Sequence, residues 1–237
     1  MADVLHCDCT IKSIQEPSYW WQLILEVLET HNLRFNSPYC SDGTSNYYYS
    51  RYLPPYTEAT AESESVFGTL QDVVAEISAR SGSVISTFWS QEDDGEYIDY
   101  DVLSGLERNA QLALGFSLAG GYIRDAPYEK AQTRLRQFFS CCRDLFETCQ
   151  PDSGAIYWEN SGGHYAPWAI VGTSIEDFLQ KKHHGDIAAG SDPIIHDTLQ
   201  VIEQYHFTNK KTLFFLNPAP ILRRHGKGKY WDYMPVL

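Results

Sequence analysis

The strongest constraint on the fold is an apolar stripe between residues 127 and 149. Its members recur every three or four residues, the spacing that places side chains on one face of an α-helix. The stripe consists of Ala131, Leu135, Phe138, Cys142, Leu145 and Cys149. Asp125 suits the cap of this helix, Pro127 its first turn and Pro151 its end. We expect the helix to pack through this stripe across a sheet.

Strand signals precede this helix. Residues 84–89 are β-branched or aromatic, and Asp94-Gly95 is a strong hairpin turn signal before a second strand at 96–103. Leu112, Leu114, Phe116 and Leu118 then alternate with smaller or polar residues as a third strand. We expect this meander, about 84–118, to form the centre of an antiparallel sheet with helices packed on it. The predicted fold class is therefore α+β.

Further elements complete the prediction. Helices are expected after Pro17 (with Trp20 and Trp21), from near Ser63 with Gly82 beyond its end, and from Asp192 with Ile195, Leu199 and Ile202 inward; Thr173 can start a short one. The second of these helices has the apolar spacing Phe67, Leu70, Val74 and Ile77. Short strands are expected at 155–158, 165–171 and 212–216. A tyrosine-rich connection spans about 36–65, with room for one short strand. A chain of 237 residues fits a single α+β domain, residues 1–237.

Charge is distributed unevenly along the chain. The net charge is −13, yet residues 209–237 hold six basic residues against Asp232, a net of +5 that leaves −18 on the rest. Such a surface repels nucleic acid and anionic membranes and attracts basic partners. Acidity also serves solubility, and that alternative stays open. No membrane or nucleic-acid partner is expected.

Six cysteines occur in the chain: Cys7, Cys9, Cys40, Cys141, Cys142 and Cys149. Four lie in two tight clusters, and neighbours so close rarely pair with each other. The N-terminus shows no basic-then-apolar pattern of a secretory signal. We expect reduced thiols and a soluble, cytoplasmic protein.

Candidate metal ligands are few. His6-Cys7-Asp8-Cys9 lacks the second half of a tetrahedral zinc site, and His183-His184 lies in a polar stretch. Asp99 and Asp101 stand two residues apart, which places both on one face of a strand. That pair can hold a divalent cation or perform acid–base work, or simply form a solvated strand face. No metal or cofactor is predicted.

Motifs for nucleophilic or phosphate chemistry are missing from the sequence. There is no Gly-x-Ser-x-Gly elbow, and His225-Gly226-Lys227-Gly228-Lys229 matches neither glycine-rich phosphate loop. Cys142 and Cys149 lie on the apolar stripe, where they read as small core residues. No catalytic residue is predicted.

The hairpin around Asp94 is the most distinctive polar feature. Six of its ten residues from 92 to 101 are acidic, and two tyrosines lie among them. The set is Glu92, Asp93, Asp94, Glu96, Tyr97, Asp99, Tyr100 and Asp101. Tyrosine often anchors interfaces, so we expect these residues to bind a basic partner; an ordinary charged hairpin is the alternative.

Several features together resemble the immunity proteins of bacterial polymorphic and type VI secretion toxin systems. They are the Trp20-Trp21 helix, the Phe88-Trp89 strand before the acidic hairpin, the helix ending at Pro151, and the strand Ala155-Ile156-Tyr157-Trp158. The resemblance is to a family paired with restriction-endonuclease-fold toxins. It implies a cytoplasmic protein without catalytic residues that binds one cognate toxin, and it supplies no binding residues.

Three functions follow as hypotheses. The first is a toxin-neutralising immunity protein that inhibits one secreted effector, a nuclease. The second is a small metal-dependent hydrolase that uses Asp99 and Asp101 or His183 and His184. The third is an assembly component of a phage or secretion particle. Oligomeric state does not follow from the sequence.

Overall fold

The computed structural model of the chain describes residues 4–12, 17–41, 46–49, 66–67, 84–106, 111–159, 165–174 and 201–216. The strands are β1 (Val4–Lys12), β2 (Arg34–Ser41), β3 (Asn46–Tyr49), β4 (Val66–Phe67), β5 (Val84–Asp93), β6 (Glu96–Leu106), β7 (Gln111–Ala119), β8 (Ser153–Glu159), β9 (Tyr165–Gly172), β10 (Val201–His206) and β11 (Thr212–Leu216). The helices are α1 (Pro17–Thr30), α2 (Gly121–Arg124) and α3 (Tyr128–Cys149).

The chain divides into two compact units. The first contains residues 1–9 and 118–237, and the second contains residues 10–117. Antiparallel strands with helices packed on them make the fold α+β, as predicted, although β3 and β4 pair in parallel. The prediction of a single domain stays a prediction.

In the second unit the strand order is β7-β6-β5-β2-β3-β4, so the predicted meander is present as β5, β6 and β7. Helix α1 buries Trp21, Ile24 and Leu28. The segment 36–65, predicted as a connection with one short strand, contains most of β2 and all of β3. Strand β2 accommodates Pro38 because its pairing with β3 covers only Tyr39 to Ser41, so the proline is paired with β5 on one side alone.

In the first unit the strand order is β10-β11-β9-β8-β1, and α3 packs on this sheet. The Phe139 ring lies 4.8 Å from the Trp168 ring of β9, measured between centroids. The thiol of Cys142 is hydrogen-bonded to that of Cys7 in β1. The predicted stripe is buried as expected. The sequence analysis predicted that this stripe packs on the meander. In this unit the stripe packs instead on β1, β8 and β9.

The ends of α3 differ from the predicted cap. Pro127 occupies the N-cap position without a side-chain cap, and the Asp125 carboxylate instead accepts a hydrogen bond from Arg124 Nε at 2.9 Å. At the other end Gln150 adopts the left-handed conformation with φ of 44°. Its side-chain Oε1 accepts hydrogen bonds from the Thr208 backbone N at 3.1 Å and from the Thr208 hydroxyl. The turn between β10 and β11 is thereby fixed to the C-terminal end of α3.

Two helix predictions are wrong where the structure describes them. Phe67 belongs to β4, and Ile202 belongs to β10 with 49% of its surface exposed, so it does not point inward. Helical spacing was outweighed by strand pairing, since β4 pairs with β3 and β10 pairs with β11, the next strand along the chain. The rest of these two predicted helices lies outside the described residues. Of the short helix predicted from Thr173, only Thr173 and Ser174 are described.

Gly154 in β8 lies in close contact with both β1 and α3. A methyl group there would lie 2.8 Å from the Asp8 carbonyl oxygen and 3.2 Å from ring carbon Cζ of Phe146. We expect Gly154→Ala to lower the free energy of unfolding by about 1–3 kcal/mol, because backbone atoms of β1 would have to move. Urea denaturation measures this. Gly121→Ala is the control, since its methyl group meets no atom closer than 3.6 Å; equal losses in both variants would contradict the prediction.

Candidate functional site

The acidic hairpin is built by β5 and β6 around a two-residue turn. Asp94 and Gly95 have φ of 54° and 80°, and the closing pair is Asp93 opposite Glu96. Positive φ at both central residues is the type I′ turn that matches the twist of paired strands, and Asp-Gly is a preferred sequence for it. The predicted turn is therefore present at the predicted residues.

Alternation along β6 divides the hairpin into an inner and an outer face. Ile98, Tyr100 and Val102 are buried, and Tyr97, Asp99 and Asp101 lie on the opposite face. On that outer face Glu92 is paired with Tyr97. The Tyr97 side chain is 66% exposed, the largest exposure among the exposed large hydrophobic residues that the structure describes.

The acidic side chains are not equally accessible. Glu92, Asp94, Glu96 and Asp99 are exposed, while Asp93 and Asp101 are half-buried. We call the four exposed carboxylates together with Tyr97 the hairpin tip. Like charges placed this densely repel one another, so a basic surface that covers them would relieve the repulsion.

Tyr100 has a different role from Tyr97. It is 2% exposed and stacks on Phe116 of β7, with ring centroids 5.3 Å apart and planes 2° from parallel. Its hydroxyl donates to Gln91 Oε1 at 3.4 Å, and Gln91 Nε2 donates to the His31 carbonyl at 3.4 Å. Tyr100 belongs to the core that supports the hairpin tip, so we leave it out of the proposed contact surface.

The candidate metal-binding residues that the structure describes are not brought together into one site. Asp99 and Asp101 share one face of β6 as predicted, yet among the described residues no group of three or more acidic, histidine or cysteine side chains is placed to hold a metal ion. His183 and His184 lie outside the described part of the chain.

The segment His6-Cys7-Asp8-Cys9 is a strand, which sends its side chains to two faces. Cys7 and Cys9 are buried. Asp8 accepts a 2.5 Å hydrogen bond from the Tyr157 hydroxyl, and the His6 ring stacks on the Tyr157 ring at 5.1 Å. The four potential ligands therefore cannot surround one metal ion.

A buried thiol seam between β1 and α3 was not predicted. It contains Cys7, Cys9, Cys141, Cys142 and Cys149, none more than 5% exposed and none in a disulfide. Burial raises the pKa of the Cys7, Cys9 and Cys141 thiols well above the ordinary value, that of Cys142 to about 11 and that of Cys149 to about 12. The overlooked signal was the alternation of Leu5, Cys7, Cys9 and Ile11, which marks a strand once cysteine is counted as apolar.

Comparison with known proteins identifies no relative. No family model, curated protein or solved structure matches this chain. In the described part of the chain, none of the helices has the length and apolar character required for a membrane span.

Proposed function

We propose that this protein is an immunity protein that binds and neutralises one cognate secreted toxin. The observation that supports this most directly is Tyr97, which is 66% exposed among four exposed carboxylates. An exposed aromatic ring gains free energy when a partner covers it, and tyrosine is enriched among the residues that dominate binding energy. The resemblance to toxin immunity proteins points to the same class.

The chemistry of the hairpin tip favours a basic partner. Four exposed carboxylates project from one hairpin of a chain whose net charge is −13. A nuclease lines its cleft with Lys and Arg side chains that neutralise phosphates. An acidic tip is complementary to such a cleft, so we propose a nuclease as the toxin class and direct occlusion as the mode of inhibition.

The tip is also held in one conformation before it binds. The type I′ turn fixes its backbone, and Tyr100, stacked on Phe116, supports it from inside. Ordering a flexible loop on association costs free energy, and a preformed hairpin avoids that cost. Inhibition through this surface needs no cofactor and no catalytic residue.

Recovery of the partner tests the proposal. The tagged full chain is purified from its native cells, each stoichiometric partner is identified, and its gene is expressed in a test host with and without this chain. We expect a basic protein that arrests growth alone and is harmless when this chain is co-expressed. A partner whose toxicity is unaffected by co-expression would contradict the proposal.

Charge reversal at the tip is expected to slow association. We choose Glu92→Lys with Asp94→Asn, because asparagine accepts the positive φ that Asp94 requires. The association rate constant at low salt should fall about tenfold or more, and its salt dependence should flatten, because steering by long-range charge is lost. Stopped-flow or surface binding kinetics at two salt concentrations measure both effects.

The control for this variant changes the net charge by the same amount elsewhere. Glu29→Lys with Glu147→Gln alters two exposed helical residues, and both double variants have a net charge of −10 instead of −13. An equal slowing in both would assign the effect to total charge and would remove the tip from the interface, even if the immunity function held.

A further inference from the structure

Strand β10 is the edge strand of the first unit. Among the strands that the structure describes it pairs only with β11, so backbone N–H and C=O groups line its other side. All of its side chains except that of Tyr205 are exposed, including the two aliphatic ones, Val201 at 37% and Ile202 at 49%. An exposed edge of this kind is a template for the addition of one more β-strand.

The sequence of β10 does little to block such an addition. Natural proteins protect exposed strand edges with lysine, proline or a bulge. Strand β10 contains neither lysine nor proline, and its single carboxylate is that of Glu203. The register shift in its pairing with β11 lies between Val201 and Glu203, so the ladder is regular from Glu203 to His206. This regular stretch is the part of the edge that can pair.

We propose that β10 pairs antiparallel with β10 of a second copy of this chain, about a two-fold axis at Gln204. The proposal does not rest on toxin binding, because β10 belongs to the first unit and the hairpin tip to the second. Side chains directly opposite each other in an antiparallel pair lie on the same face of the sheet. A two-fold axis through such a pair therefore places one residue opposite its own copy, and the choice of that residue fixes the register.

Charge selects Gln204 as the central residue. With Glu203 at the centre two carboxylates would face each other, which is destabilising. With Gln204 at the centre the two side-chain amides can hydrogen-bond to each other. Glu203 then lies opposite Tyr205 of the second copy, and Ile202 lies opposite His206 of the second copy. This register opposes no like charges, and it pairs more of the strand than a centre at Tyr205 would.

The pair of Glu203 and Tyr205 is chemically complementary. Within one strand the Tyr205 hydroxyl already donates a hydrogen bond to Glu203 Oε1 at 2.5 Å. In the proposed dimer each carboxylate also lies opposite a tyrosine of the second copy, so the same donor and acceptor meet across the new edge. The identical strand thus supplies the groups that this edge can bind.

The proposed dimer is weak. Two short strands make a small interface, and interfaces that bury less than about 1,000 Å² are generally transient. Each copy also has a net charge of −13, and the resulting repulsion is screened by salt. We therefore expect a reversible dimer that forms at high protein concentration and becomes more stable as salt is added.

Sedimentation velocity of the purified full chain, from micromolar to millimolar concentration, tests the association. The average mass should rise toward twice the monomer mass and stop there, because pairing uses up the edge. Ile202→Lys should weaken the dimer about tenfold or more, because a lysine at a strand edge opposes pairing. Tyr128→Lys is the control, since it makes the same charge change at a residue of α3 that is 55% exposed. No dimer, growth beyond a dimer, or equal weakening in both variants would overturn the proposal.

An introduced cysteine tests the register. In Gln204→Cys the two thiols face each other with Cα atoms about 4.5–5.5 Å apart, which is within reach of a disulfide. Oxidised glutathione should convert this variant to a covalent dimer on a non-reducing gel. Ile202→Cys is the control, because its two copies would lie four residues apart along the strand, beyond that reach. The five native thiols that the structure describes are buried, so they should not compete. A cross-link in Ile202→Cys, or none in Gln204→Cys, would overturn the proposal.

Discussion

Truncation of Leu135 to alanine is expected to lower the free energy of unfolding by about 2–5 kcal/mol. The Leu135 side chain is fully buried in the middle of α3, between Ala131 and Phe138 of the same buried face. Its removal deletes apolar contacts and leaves a cavity that the helix and sheet can fill only partly. Urea denaturation monitored by circular dichroism measures the loss.

Two further variants keep this result interpretable. Arg136→Ala changes the neighbouring exposed residue and should alter stability by less than about 0.5 kcal/mol. Leu135→Met preserves volume and should cost less than about 1.5 kcal/mol, which matters if the alanine variant does not fold. A loss below half a kcal/mol for Leu135→Ala would mean that the stripe does not form core.

The α3 stripe was readable because its signal is local. Six apolar residues at helical spacing, bounded by prolines, define both the helix and its buried face without reference to any distant strand. The N-terminal cap of the helix was predicted incorrectly, because the Asp125 carboxylate accepts a hydrogen bond from Arg124 instead of capping the helix. A helix cap depends on a few hydrogen bonds, and neighbouring side chains compete for them. The sequence alone does not show which of these hydrogen bonds is formed.

Strand β1 could not be recognised while its cysteines were read as ligands. A cysteine can be a metal ligand or a small apolar core residue. Only the packing of α3 against Cys7 and Cys9 shows that these two are core residues. Strand β2 was missed for a related reason. Pro38 argues against a strand with neighbours on both sides, and the sequence does not show that β3 pairs with β2 only from Tyr39 onward.

The hairpin shows the same division between local and long-range information. Its turn, its two strands and the shared face of Asp99 and Asp101 were predicted correctly. The two tyrosines were treated alike, although three residues of separation in a strand place Tyr97 and Tyr100 on opposite faces. Alternation with Ile98 and Val102 would have assigned Tyr100 to the core from the sequence alone.

Removal of the Tyr97 ring is expected to act on dissociation from the toxin. The carboxylates of the tip act at long range and set the association rate, whereas a ring covered by the partner contributes only after contact. For Tyr97→Ala we expect a loss of about 2 kcal/mol or more in binding free energy, which is about a thirtyfold faster dissociation. The stability of the free protein should change by less than about 0.5 kcal/mol, because the side chain is 66% exposed.

Two controls separate the contribution of the ring from that of its hydroxyl and from exposed tyrosine in general. Tyr97→Phe keeps the apolar ring, so it should retain most of the affinity if burial of the ring drives binding. Tyr128→Ala removes a tyrosine that is 55% exposed at the start of α3, and it should leave dissociation unchanged. If Tyr97→Ala dissociates no faster than Tyr128→Ala, the ring lies outside the interface, and the carboxylates would then steer a partner that docks elsewhere.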